Sequence, residues 1–142
     1  MELFCTAGCF QVKSGKVREN NGMARILIVE DDDELRLLWE MFLKRAGHEV
    51  YQAVDGLEAL YQARYYEPDL IVLDLMMPTA SGDLVLGFVR STAELRNTPV
   101  LVVSAHHNTA SLAEQYEADA YLKKPFSVDD FDRAIKSVLK IA

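Results

Sequence analysis

The sequence predicts an α/β fold, a doubly wound five-stranded parallel sheet in the order 2-1-3-4-5 with helices on both faces. Three observations carry this expectation. Residues 26–29, 70–73 and 100–103 are unbroken apolar runs, as strands covered on both faces require. Stretches with apolar residues at helical spacing separate them, so strand and helix alternate along the chain. The central run is bounded by Asp69 and Asp74, and Pro78 cannot continue a ladder, so the strand ends near Asp74. That leaves a carboxylate at the carboxyl end of a buried strand, where open α/β sheets place their chemistry.

Taken in order, residues 1–22 stand apart from the rest. Ser14-Gly15 and Asn20-Asn21-Gly22 read as turns or linker. Lys13, Lys16 and Arg18 outweigh Glu2 and Glu19, so the stretch carries +1 and the remainder −8. It is expected to be a flexible leader or a processing feature, with Met23 as a second natural start. Leu3, Phe4, Cys5, Phe10 and Val12 are its material for a short added strand. Residues 23–142 then form the folded domain.

The first strand of that domain, 26–29, runs into four acids, Glu30 to Asp33. Leu35, Leu38, Trp39, Phe42 and Leu43 recur at helical spacing up to a stop at Gly47. Residues 49–54 are half polar and suit a sheet edge. Asp55-Gly56 makes a turn, and Leu57, Leu60, Tyr61 and Arg64 trace a second helix that Pro68 closes. After the central strand and the Pro78 loop, Gly82 opens a helix with Leu84, Val85, Phe88 and Val89 inward. Pro99 precedes the fourth strand. Residues 109–116 are a polar helix with a thin apolar face of Leu112, Ala113 and Tyr116, and 120–122 is a short fifth strand. Ser127 caps the last helix, which buries Phe131, Ile135, Val138 and Leu139. Right-handed crossovers in this flavodoxin-like order gather the carboxyl ends of the first, third, fourth and fifth strands at one edge. Those ends carry Glu30 and Asp31, Asp74, Ser104, and Lys124.

Composition narrows the functions. A chain of 142 residues suits one domain with a sizeable core. A net charge of −7 and a pI near 4.9 argue against a nucleic-acid surface, which needs clustered Lys and Arg. No apolar run approaches the roughly 18 residues of a membrane span, and the start lacks a secretory pattern, so a cytoplasmic protein is expected. Cys5 and Cys9, with no neighbouring His or second Cys pair, read as free thiols.

Three carboxylates in one pocket repel each other unless a cation joins them. Oxygen-only ligands suit Mg2+ (or Mn2+), which also offsets the charge of an incoming phosphoryl group. A carboxylate such as Asp74 is then a nucleophile for aspartyl-phosphate chemistry. Lys124 balances phosphoryl oxygens as a point charge, the Ser104 hydroxyl donates one hydrogen bond, and Ala105 leaves room beside the acceptor.

With these residues in place, the chain resembles the receiver domain of two-component response regulators from Arg25 to about Ala142. Glu30-Asp31 stands at the family's acidic pair and Asp74, in Leu-Asp-Leu-Met-Met-Pro, at its phosphoacceptor. Ser104 stands at its hydroxyl residue and Lys124-Pro125 at its lysine–proline pair, often a cis bond. The resemblance further implies that Met76 gives a backbone carbonyl to the metal and that Tyr121 is an aromatic switch. It places Asp32 and Asp33 outside the metal shell as helix caps. Thr79-Ala80-Ser81 and His106-His107 depart from the commonest pattern.

The implied function is a phosphorylation-activated switch, not an enzyme, although it takes part in its own phosphorylation and slow autodephosphorylation. A sensor histidine kinase or histidine phosphotransfer protein would donate to Asp74. The output would go to a downstream protein, or to a homodimer, through the fourth helix, fifth strand and fifth helix, without nucleic acid or membrane. Two other classes compete. A phosphohydrolase would need a substrate cap and a positioned acid/base, and a flavodoxin-like electron carrier would need a phosphate-cradling loop where four acids stand. The chain as read leaves no room for an output domain after Ala142, so it is expected to be a stand-alone receiver or one cut from a longer transcriptional regulator or hybrid kinase.

Overall fold

The computed structural model describes residues 7–9, 23–76 and 82–141. Its elements in chain order are β1 (Ala7–Cys9), β2 (Arg25–Val29), α1 (Asp33–Arg45), β3 (Glu49–Ala53), α2 (Gly56–Tyr66), β4 (Leu70–Asp74), α3 (Gly82–Ser91), β5 (Val100–Ser104), α4 (Thr109–Gln115), β6 (Ala120–Lys123) and α5 (Val128–Leu139). The sheet order is β1-β6-β5-β4-β2-β3. The five strands β2 to β6 are parallel and have the expected crossover order. One strand was not in that expectation: β1 pairs antiparallel along the outer edge of β6, with Gly8 opposite Tyr121. It falls within residues 1–22. Leu3, Phe4, Cys5, Phe10 and Val12 lie outside the described residues.

The strands show why apolar runs without alternation were needed. Successive side chains point to opposite faces, and both faces are buried. Ile26, Ile28, Leu70, Val72, Leu101 and Val103 meet α1 and α5 on one side. Leu27, Val29, Ile71, Leu73, Val100 and Val102 meet α2, α3 and α4 on the other.

The helix ends follow from local chemistry. Asp32 caps α1 by accepting from the N–H groups of Glu34 and Leu35, which satisfies orphan donors of the first turn. Gly47 stops it at φ +96°, a left-handed conformation that favours glycine. Asp55 caps α2, and Ser127 with Asp130 forms a capping box on α5.

Three helix faces differ from the sequence reading. In α3, Val85, Leu86 and Val89 are buried, whereas Leu84 and Phe88 point to solvent. In α2 the buried residues are Gly56, Ala59 and Ala63, and Leu57 and Tyr61 are exposed. In α1, Leu38 is exposed at the rim of a cleft while Trp39 and Leu43 are buried. The cause in α2 is steric: small side chains let the helix approach the sheet, so the inward face is the less bulky one. Among the described residues no helix is long and apolar enough to cross a membrane.

Candidate functional site

Five side chains meet at the carboxyl edge of the sheet. Glu30 follows β2 and is held by its N–H donating to the Ala53 carbonyl at 3.2 Å. Asp74 ends β4, and its Oδ1 accepts from the N–H of Met76 at 2.9 Å. Ser104 ends β5, and its carbonyl accepts from the N–H of Lys124 at 2.8 Å, which ties the loop after β6 to the site. The Lys124–Pro125 peptide bond is cis.

Glu30 and Asp74 are almost fully buried, at 1% and 2% exposure, while Asp31 faces solvent. Carboxylate oxygens of Glu30, Asp31 and Asp74 all lie within 4.8 Å of one another. The Lys124 ammonium bridges two of them, 2.8 Å from Glu30 Oε1 and 3.1 Å from Asp74 Oδ2. Two buried anions are thus held by one cation, and the third waits at the rim.

This crowding shifts the protonation equilibria. Burial pushes the Glu30 carboxyl up; the hydrogen bond from Lys124 pulls it back, and Asp74 pushes it further up. The Asp31 carboxyl is also raised, by burial first and then by the hydrogen bond and charge of Glu30. Burial pulls the Lys124 ammonium down, but the Glu30 hydrogen bond and the charges of Asp74 and Glu30 outweigh it, so Lys124 holds its proton more tightly. A hard, oxygen-only donor set with surplus negative charge fits a divalent cation.

The other expected residues fall into place unevenly. Ser104 is fully buried, and its Oγ accepts from the N–H of His106 at 3.0 Å. Tyr121 is half-buried on β6 and packs against the cluster on the α2–α3–α4 side. What the structure shows of Met76 at the site is its N–H, donated to Asp74. Asp32 caps α1 as expected, and Asp33 pairs with Arg36. The His106 and His107 rings stack 4.5 Å apart beside the pocket, and His106 Nδ1 accepts from the N–H of Asn108. Pro78 to Ser81 lie outside the described residues.

Two residues were missed. Arg36 donates from Nη1 to the Glu30 carbonyl at 2.8 Å and from Nε to Gln52 at 3.0 Å, so it fixes the end of β2. A lone cation between Leu35 and Leu37 was the available signal. Trp39 places its ring 5.6 Å from the Lys124 ammonium and, with Phe126 and Phe131, walls an apolar cleft of about 260 Å³ behind it. Nothing in the local sequence pointed to that contact.

Comparison with known proteins agrees with this geometry. Residues 26–136 match the response regulator receiver domain family, and the chain belongs to it. The chain is 36% identical over 120 residues to the DNA-binding dual master transcriptional regulator RpaA of Synechocystis, covering 83% of this chain and 50% of RpaA. It therefore spans about half the length of that relative. It is also 36% identical over 116 residues to the polar-differentiation response regulator DivK of Brucella ovis, covering 80% of this chain and 94% of DivK. The solved chemotaxis response regulator CheY4 of Vibrio cholerae superposes with a TM-score of 0.77 at 30% identity, over 82% of this chain and 98% of that one. The chain is thus a receiver domain, and receiver domains are phosphoacceptor signalling switches rather than classical enzymes. Its acidic triad has the donor chemistry for a divalent metal.

Proposed function

We propose that Asp74 is the phosphoacceptor of this receiver, charged by a sensor histidine kinase or histidine phosphotransfer protein in the cytoplasm, with residues 1–22 a leader to the receiver domain at 23–142. The observation that carries the reading is the Lys124 ammonium lying 2.8 Å from Glu30 and 3.1 Å from Asp74 inside a triad of carboxylates. Glu30, Asp31, Asp74 and the Met76 carbonyl would hold Mg2+ (or Mn2+). When bound, that ion supplies the positive charge that draws phosphoryl oxygens toward the carboxylates. Asp74 presents Oδ2 to phosphorus while its Oδ1 is kept oriented by the Met76 N–H. Lys124, which already holds a buried anion, balances the transferred oxygens. The loop following β5 presents the Ser104 hydroxyl.

Asp31 is the most accessible of the three acids, so its replacement tests the metal without emptying the core. Asp31→Ala is expected to fold normally and to lose both Mg2+ binding and Mg2+-dependent labelling by acetyl phosphate. A metal titration that overlays the wild-type curve would mean that the triad has been misassigned.

The same site is read out through Ser104 and Tyr121. Ser104 Oγ accepts from His106, which leaves its hydroxyl hydrogen to donate to a phosphoryl oxygen and draw the loop toward Asp74. Tyr121, half-buried on the edge-ward strand, turns inward as that loop moves. The altered surface of α4, β6 and α5 then takes a downstream protein or a second copy, a packing readout of an electrostatic event. Because β1 lies along β6, such a partner meets β1 between the helices and not a bare sheet edge. The net charge of −7 favours a protein partner over nucleic acid. Ser104→Ala should still accept phosphate on Asp74 yet leave the Tyr121 ring resonances unmoved on adding beryllofluoride and Mg2+, whereas they shift in the wild type. Wild-type shifts confined to the Asp74 pocket would rule this route out.

A further inference from the structure

Strand β1 lies where the output of this switch is expected to be read. It pairs antiparallel with the outer edge of β6, Ala7 level with Leu122, Gly8 with Tyr121 and Cys9 with Ala120, and it also packs against α5. It is the terminal strand of the sheet, so among the described residues β6 is its one strand neighbour. The edge it occupies is the middle of the α4–β6–α5 surface, and a protein or second copy docking there meets β1 first.

This cover is a weak one. Ala-Gly-Cys is three residues long, has no β-branched or aromatic member, and contains a glycine, which gives up more backbone freedom on ordering than any other residue. The few backbone hydrogen bonds of so short a strand are offset by the entropy of ordering it, so the paired and released arrangements lie close in free energy. Residues 10–22 join it to the rest of the chain, so a released strand re-pairs by an intramolecular step.

The pairing is also tied to the phosphoacceptor edge. The N–H of Lys124, the residue after β6, donates to the Ser104 carbonyl at 2.8 Å, so a shift of Ser104 toward Asp74 carries the end of β6 with it. Tyr121 stands half-buried in the middle of the β1 register, opposite a residue with no side chain. Cross-strand partners share a face of the sheet, so an outward ring can lie over Gly8, as aromatics cover strand glycines. An inward turn of the ring removes that contact, and a moved β6 strains all three pairs at once.

We propose that β1 is an intramolecular cover of the output face, which holds the switch in its resting arrangement and is released when Asp74 is phosphorylated. This rests on the roles of Asp74, Ser104 and Tyr121 in the proposed function and adds a regulatory element to them. The coupling is reciprocal: β1 weakens the phosphorylated state by the same factor by which phosphorylation loosens β1.

Beryllofluoride with Mg2+ stands in for the phosphoryl group in the test, and the full chain is used throughout. Ala7→Pro/Gly8→Pro removes a ladder N–H whichever way the strand faces, because neighbouring residues of an antiparallel strand alternate in bonding to their partner. This variant should bind beryllofluoride about fivefold more tightly than the wild type, read at the resonances of the Asp74 pocket. The opposite arm locks the strand. Directly opposed residues of antiparallel strands have Cα atoms about 4.5–5.5 Å apart, within the range of about 4.4–6.8 Å that a disulfide spans. Ala120→Cys in a Cys5→Ser background should therefore oxidise to a disulfide with Cys9. The locked chain should bind beryllofluoride about fivefold more weakly and leave the Tyr121 resonances unmoved until a reductant is added. In the wild type, backbone hydrogen exchange over residues 120–123 should speed up when beryllofluoride binds. A wild type that binds no beryllofluoride would remove the phosphoacceptor reading and this inference together. Wild-type binding with a Tyr121 response, but with either the proline variant or the locked chain matching the wild type, would overturn the role of β1 alone. A folded Ala120→Cys chain that forms no disulfide with Cys9 would overturn the pairing itself.

Discussion

Asp74→Asn is expected to take up no phosphoryl group from acetyl phosphate or a cognate kinase in Mg2+, where the wild-type chain takes up one. In the transfer, a carboxylate oxygen forms a bond to phosphorus. The bond from phosphorus to the acetyl oxygen, or to the donor imidazole nitrogen, breaks, and the leaving group keeps that electron pair. An amide lacks the negative charge, and its nitrogen lone pair is delocalised into the carbonyl, so it is too weak a nucleophile for that attack. Its fold should survive, because the Asn oxygen can still accept from the Met76 N–H while Lys124 keeps Glu30 as its partner. Stability should therefore stay within about 1 kcal/mol of the wild type. Intact-mass measurement before and after treatment reads the result directly. Undiminished labelling of the variant would show that another carboxylate, with Glu30 and Asp31 the nearest, is the acceptor.

That the site was legible in the sequence at all has a topological reason. Glu30, Asp74, Ser104 and Lys124 are far apart in the chain, yet the first three end or follow runs too apolar to be anything but covered strands, and Lys124 follows the short strand β6. Parallel strands joined by right-handed crossovers bring all such ends to one edge, so the spacing of the residues in the chain does not matter. What lies behind that edge was less legible. The contact between Trp39 and Lys124 joins residues of different elements through packing of α1 against the loop after β6, and no periodicity encodes it. The helix faces failed for a different reason. Apolar spacing assigns large residues inward, but α2 seats itself on Ala59 and Ala63 and turns Leu57 and Tyr61 outward. In α3 a step of one residue separates the inward Val85 and Val89 from the outward Leu84 and Phe88, a rotation of only 100°. Strand β1 gave no signal because Ala-Gly-Cys has neither alternation nor β-branched residues, and it is a neighbour's open edge that makes it a strand.

Lys124→Ala is expected to be the most destabilising single substitution at the site, and Mg2+ should compensate for much of the loss. The ammonium lies within hydrogen-bonding distance of both Glu30 and Asp74, whose side chains are 1% and 3% exposed. Its removal leaves two adjacent buried carboxylates without a cation, a loss of about 3–5 kcal/mol when one partner of a buried ion pair is deleted. The Trp39 ring, which the ammonium faces, becomes exposed to the vacated space, and as the only tryptophan it reports unfolding by fluorescence. The pH dependence has a definite sign. The Glu30 carboxyl is raised above its ordinary 4.5 in the folded state, so the contribution of its bound proton is fully present below 4.5 and is lost as pH rises through the raised value. Without Lys124 the carboxyl rises further, so the deficit relative to wild type should be largest at neutral pH and shrink on acidification. Mg2+ binds the folded state of both proteins, but in the variant it also replaces the missing positive charge, so its stabilisation should exceed that of the wild type. Labelling of Asp74 should fall and the Tyr121 response should be lost, because phosphoryl oxygens then lack their lysine. Urea unfolding at neutral and mildly acidic pH, with and without Mg2+, measures all of these stability effects. Equal unfolding midpoints for variant and wild type at neutral pH without metal would show that Lys124 does not neutralise the buried pair.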